Sequence, residues 1–86
     1  MEIYYSPKFG REYKNLSPKT KEAAKIKELI FRTNPFDVRL KTHSLTGHLQ
    51  GYWAFSVDRK TRIIFEFAKK TVVWFYSIGS HDIYKK

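Results

Sequence analysis

Tyr52-Trp53-Ala54-Phe55-Ser56-Val57, Arg62-Ile63-Ile64-Phe65-Glu66-Phe67 and Val72-Val73-Trp74-Phe75-Tyr76-Ser77-Ile78 decide the fold. Each run alternates in side-chain character with the period of two that a half-buried strand requires. The connections Asp58-Arg59-Lys60-Thr61 and Ala68-Lys69-Lys70-Thr71 are short and basic, as hairpin turns on a wet surface should be. A three-stranded antiparallel meander follows. Parity places Trp53/Phe55/Val57, Ile63/Phe65/Phe67 and Val72/Trp74/Tyr76/Ile78 toward a core. It leaves Tyr52/Ala54/Ser56, Arg62/Ile64/Glu66 and Val73/Phe75/Ser77 on the other face, which an antiparallel sheet can keep wet. Arg62 is thereby expected on the open face, with Glu66 four residues along to orient it or offset its charge.

Before the meander the pattern is helical. Glu2 to Ser6 alternates and reads as a short strand. Ser6-Pro7 and Ser17-Pro18 each pair an N-capping serine with a proline suited to the first helical position. Phe9, Tyr13 and Leu16 form the apolar stripe of a first helix. Ala23, Ile26, Ile30 and Thr33 keep helical spacing in a second, which Asn34-Pro35 stops because the residue before proline is pushed out of the α region. The expected fold class is α+β: an N-terminal strand, an α-hairpin and the meander, with the helices on one face of the sheet. Nothing in residues 1–86 suggests an internal boundary, so one domain is expected.

An 86-residue chain buries only roughly 60–65% of its unfolded surface and depends on large side chains for stability. Aromatic residues supply them, at 17% of the composition. With no cysteine, disulfides and thiolate zinc sites are out of reach. No stretch approaches the ~18 apolar residues of a membrane span, and the N-terminus lacks the layout of a signal peptide. The chain is expected in the cytoplasm, without a membrane partner. Seventeen Lys and Arg against eight acids give a formal +9. An excess of that size costs stability through self-repulsion and points to an anionic partner.

Three residues carry candidate chemistry: His43, Arg62 and His81. RNA holds its own nucleophile, the 2′-hydroxyl beside each phosphodiester. A base removes its proton, a cation stabilises charge on the non-bridging oxygens, and an acid protonates the leaving 5′-oxygen. Histidine suits either proton role because its unperturbed pKa of ~6.5 leaves both forms populated. Arginine suits the middle role through its permanent charge and planar fork of donors. His43 and His81 both fall in polar, loop-like stretches, Lys41-Thr42-His43-Ser44 and Gly79-Ser80-His81-Asp82; His48, in the turn at Gly47, reads as a bystander. Tyr52, Phe75 and Tyr84 are candidates to stack on a splayed base. No metal site and no cofactor are expected: two histidines without cysteine lack ligand spacing, and there is no Gly-rich phosphate loop.

Leu45-Thr46-Gly47-His48-Leu49-Gln50-Gly51-Tyr52-Trp53, Arg62-Ile63-Ile64-Phe65 and Gly79-Ser80-His81-Asp82-Ile83-Tyr84, in that order in a small basic chain, resemble the RelE/ParE toxin superfamily of bacterial toxin–antitoxin modules. The resemblance covers nearly the whole chain and is strongest to the YoeB and YafQ branches. It implies a ribosome-dependent mRNA endonuclease that cuts in the A site without metal and is inhibited by an acidic antitoxin. It implies His43 as general base, Arg62 as the phosphate-stabilising cation and His81 as general acid, and Tyr84 falls near the family's terminal aromatic. Ser56 and Ser77 depart from it, standing where the YafQ type has a histidine and an arginine, and Lys60 replaces an aspartate.

The expected function is therefore a toxin acting as an mRNA interferase, with Lys8, Arg11, Lys41, Arg59, Lys60, Lys85 and Lys86 holding rRNA and mRNA phosphates. Two rivals share the fold: a ParE-like toxin that inhibits DNA gyrase by binding it, and a non-catalytic RNA-binding protein.

Overall fold

The computed structural model describes residues 1–85; Lys86, expected above as a phosphate contact, lies outside the described residues. Within them the chain runs β1 (Glu2–Tyr5), α1 (Pro7–Lys14), α2 (Pro18–Thr33), β2 (His43–Ser44), β3 (Trp53–Ser56), β4 (Arg62–Lys69) and β5 (Val72–Gly79). Three 3-10 turns, Val38–Leu40, Gly47–Leu49 and His81–Lys85, complete it. Both helices start as their sequences dictate. The Ser6 hydroxyl accepts the Phe9 N–H at 3.0 Å and the Ser17 hydroxyl accepts the Thr20 N–H at 3.2 Å, each cap contributing about 1 kcal/mol. Among the described residues no helix is long and apolar enough to cross a membrane.

The five strands form one sheet in the order β1-β5-β4-β3-β2. The meander β3–β4–β5 is antiparallel, as expected, but β1 pairs with β5 in parallel, so the sheet is mixed. The last strand made is therefore next to the first, bonded on both sides.

The core lies between the helices and one sheet face, and aromatic rings dominate it. Phe31 of α2 is fully buried, with its ring centroid 5.0 Å from Phe55, 4.9 Å from Phe65 and 5.3 Å from Phe75. Phe9 of α1 reaches Phe75 at 5.7 Å. The expected stripe on α2 needs correction. Ala24 and Phe31 are its buried residues, backed by Ala23 and Ile30, whereas Ile26 is 51% exposed. At 100° per residue Ile26 lies about 140° round the helix from Phe31, and the larger ring decides which face turns inward.

The parity of β5 also needs correction. Phe65 pairs with Phe75 but Ile64 pairs with Ser77, leaving Tyr76 as an extra residue in a β-bulge. One inserted residue reverses which side chains face the core. Val73 and Phe75 are in the core with Ile78, while Trp74 is exposed and Tyr76 half-buried. Phe75, expected as a base-stacking residue on the open face, has no exposed surface and cannot take that part. The bulge is held from outside: Ser6 donates its hydroxyl to the Tyr76 carbonyl at 2.7 Å. Beyond Tyr5, where β1 ends, the Glu12 carboxylate of α1 accepts the Ile78 N–H at 3.0 Å and the Ser77 hydroxyl at 2.8 Å.

Candidate active site on the open sheet face

Pairing across the sheet lays out the open face in rows. His43 is opposite Ala54, Ala54 opposite Ile64 and Ile64 opposite Ser77. The next row holds Ser56, Arg62 and Gly79. Ala54, Ile64 and the loop residue Leu49 are buried yet stand outside the main core cluster, so the second face is partly covered by its own loops. Side chains along these rows are small at Ala54, Ser56 and Gly79; Ala54 has no exposed surface, while Ser56 and Gly79 are half-buried.

Arg62, at the start of β4, is fixed by the turn before it. Its Nη1 donates to the carbonyls of Asp58 at 2.7 Å, Thr61 at 3.1 Å and Arg59 at 3.3 Å. The turn is itself stiff: Asp58 Oδ1 accepts the N–H groups of Lys60 at 3.0 Å and Thr61 at 2.8 Å. Burial pushes the Asp58 pKa up, but these backbone donors and the Arg62 charge outweigh it and hold the carboxyl below its ordinary value. One guanidinium nitrogen is thus committed to protein carbonyls. No protein acceptor is recorded among the described residues for Nε and Nη2, and two donors of a rigid fork suit a phosphate.

His81 and Tyr84 lie in the turn that follows β5. Their rings meet edge to face at 5.6 Å. Burial raises the Tyr84 pKa while the Arg62 charge opposes the rise, which places the phenol within electrostatic reach of the guanidinium. The turn is seated by a notch: a Cβ on Gly79 would stand 2.8 Å from Ile83 Cγ2, so glycine alone lets the turn lie this close to the sheet. His81 itself is exposed.

His43 is in β2 rather than in a loop, and it lies exposed beside Ala54. Its Nδ1 is 3.0 Å from the Lys41 carbonyl oxygen. A carbonyl can only accept, so in the neutral ring Nδ1 carries the proton and Nε2 keeps a free lone pair. Lys41 takes the left-handed conformation at φ 54, uncommon for a residue with a side chain. Strand β3 separates His43 from Arg62. Their backbones are two strand spacings apart, about 10 Å, with an offset of two residues, about 7 Å. Gly79 pairs with Arg62 and leads into the turn of His81 and Tyr84, while His43 lies on the far side of β3 from Arg62.

The remaining expected contacts divide. Tyr52 is half-buried on the open face, 5.4 Å from Tyr76 between ring centroids. Burial raises its pKa, with the charge of Glu66 adding to the effect; Glu66 neighbours Tyr52 and is not among the hydrogen-bonding partners of Arg62. Arg59 and Lys60 are exposed in the β3–β4 turn beside Arg62, and Lys41 is exposed beside His43. His48 is exposed in the 3-10 turn before Gly51. Among the described residues no three His, Cys, Asp or Glu side chains gather in a way that could hold a metal ion. Sequence parity missed Tyr76, which the bulge turns to the open face, and the Lys8–Glu12–Ser77 cluster, in which Ser77 is 69 residues from Lys8 and 65 from Glu12.

An α-hairpin laid on one face of such a sheet matches the fold of RelE-like toxins. The model of a bacterial toxin family of type II toxin–antitoxin systems, YafQ, matches residues 1–85, and the chain belongs to that family. Solved structures agree on the fold. YafQ from E. coli BL21(DE3) superposes with a TM-score of 0.73 at 21% identity, over 99% of this chain and 98% of that one. A YoeB/ParE toxin from Agrobacterium tumefaciens gives 0.79 at 15% identity, over 94% and 99%. The YoeB–YefM complex from Staphylococcus aureus gives 0.72 at 22%, over 94% and 97%. A search of curated protein sequences found no match.

Proposed function

We propose that this toxin is an endoribonuclease that cuts mRNA on the translating ribosome. The observation that carries the reading is the Arg62 guanidinium, anchored through one nitrogen by three carbonyls of a stiff turn; its strand partner Gly79 leads into the turn of His81 and Tyr84. Arg62 stabilises charge on the non-bridging oxygens, and His81 protonates the leaving 5′-oxygen. His43, with Nε2 as its free lone pair, takes the 2′-hydroxyl proton from a nucleotide lying across Ser56. The new bond joins the 2′-oxygen to phosphorus as the bond to the 5′-oxygen breaks. Tyr52 and Tyr84 flank the bases, and Lys41, Arg59 and Lys60 hold phosphates. A formal +9 suits both the ribosome and an acidic antitoxin; solved relatives include DinJ–YafQ and YoeB–YefM complexes, and a cognate antitoxin is proposed here likewise.

The test is induced expression with primer extension on a translated message. Growth arrest with cuts inside codons is expected, and both should vanish in Arg62→Ala and His81→Ala. Arrest without cuts, accompanied by a DNA-damage response, would instead indicate a gyrase target. Full activity in both folded variants would remove Arg62 and His81 from the chemistry.

A further inference from the structure

The open face continues past the rows of Ala54 and Ser56 toward β1, and there it carries aromatic rings that the cleavage chemistry leaves unused. Tyr4 pairs with Trp74 across β1 and β5, and their rings stack at 5.2 Å. They are 44% and 39% exposed. Trp74 pairs in turn with Glu66 of β4, beside Tyr52, whose ring meets that of the bulged Tyr76. Four rings thus run across the face from Tyr52 to the β1 edge. Cations flank them: the exposed Lys69 and Lys70 sit in the hairpin end where Lys69 pairs with Val72, and Lys8 Nζ, already paired with Glu12 at 2.7 Å, is 5.7 Å from the centre of the Tyr76 ring.

Stacked on Tyr4, the Trp74 indole still keeps 39% of its surface exposed, area that another planar group can cover. Basic rims with aromatic rings between them suit a strand whose charge lies on one side and whose flat groups lie on the other. The acidic Glu66 between Trp74 and Tyr52 repels phosphate from the middle of the face, which orients bases inward and phosphates toward the lysines at the rims. We infer that Tyr4, Trp74 and Tyr76 form a stacking platform for single-stranded RNA, holding the message beyond the nucleotide that is cut. The inference rests on the nuclease reading for the identity of the strand as message, but the surface itself is tested separately.

The probe is a 2′-O-methyl oligoribonucleotide of mixed sequence, about ten nucleotides long, which the proposed chemistry cannot cleave. Its binding should quench the Trp74 fluorescence, read against Trp74→Phe, where the quenching is lost but a ring remains. Trp74→Ala and Tyr4→Ala, shown to be folded by thermal melting, should bind roughly 5- to 100-fold more weakly, the share of one stacked base. Trp74→Phe should recover most of the affinity. Unchanged affinity in Trp74→Ala would overturn the platform. So would Trp74 fluorescence that responds to protein concentration alone, which would mark the patch as a contact between copies. Ring-dependent binding without message cleavage on ribosomes would sink the nuclease reading and leave the platform. Cleavage by Trp74→Ala at the wild-type rate, with unchanged oligonucleotide binding, would do the reverse.

Discussion

Glu12 and Ile78 are joined by a hydrogen bond that replaces a missing strand: where β1 ends, the Glu12 carboxylate accepts the Ile78 N–H at 3.0 Å. The same carboxylate accepts the Ser77 hydroxyl and pairs with Lys8 at 2.7 Å. An α-helix thus satisfies the edge of β5 at the bulge that turns Tyr76 outward. Removing the carboxylate leaves the buried Ile78 N–H without its acceptor and the Ser77 hydroxyl with Lys8 alone as partner, and Glu12→Ala should cost about 2 kcal/mol in urea unfolding.

The same group makes stability depend on acid. Burial raises the Glu12 pKa, but hydrogen bonds from Lys8, Ser77 and Ile78 outweigh it and hold the value below the ordinary 4.5. A depressed carboxylate stabilises the fold above its unfolded pKa, and that contribution is lost as pH falls through the folded one. Stability measured downward from pH 5 should therefore fall less steeply in Glu12→Gln than in the wild type. Parallel curves would show that the carboxylate charge does not matter.

Two positions on α2 separate packing from mere apolarity. Phe31→Ala, which removes the ring that Phe55, Phe65 and Phe75 surround, should cost about 3–5 kcal/mol. Ile26→Lys, on the exposed side of the helix, should stay within about 0.5 kcal/mol. Chemical denaturation of both variants checks the rotation of the helix.

Arg62→Lys retains the charge but loses the fork. An ammonium held by the carbonyls of Asp58, Arg59 and Thr61 has no second planar edge for phosphate. Cleavage on ribosomes should drop by about 10²-fold or more, with a melting temperature close to that of the wild type. Near-normal cleavage would mean that charge alone suffices there.

Gly79→Ala tests the notch under the C-terminal turn. The added methyl meets Ile83 Cγ2 and must lift the turn that carries His81 and Tyr84. Misplacement by about 1 Å can cost up to 10²-fold in rate, so cleavage should fall at least tenfold. Ile83→Ala in the same chain should restore part of it, by making room.

The architecture was legible because its signals are local. Ser6-Pro7, Ser17-Pro18 and Asn34-Pro35 mark helix ends whose partners lie within a few residues, and the alternation of β3 and β4 survives into the sheet. What escaped depends on partners far away in sequence. The parallel seat of β1 beside β5 brings residue 2 to residue 72, and no periodicity reports that. The bulge at Tyr76 is set by Ser6 and Glu12, so counting twos along β5 assigned Phe75, Trp74 and Tyr76 to the wrong sides. Arg62 was read on the open face because β4 is regular up to its pairing with Ser56 and Gly79. The spread of His43 from the other two depends on strand order, which parity does not encode.

The seat of β5 between β1 and β4 has a temporal consequence. A chain still being synthesised has made β1 and both helices but lacks the strand that bonds the first element to the rest. Its pairings are long-range and close only when the carboxyl-terminal residues are available. The finished surface therefore exists only once β5 and the turn after it have been made, and a product truncated before them lacks the rings of Trp74, Phe75 and Tyr76 along with His81 and Tyr84.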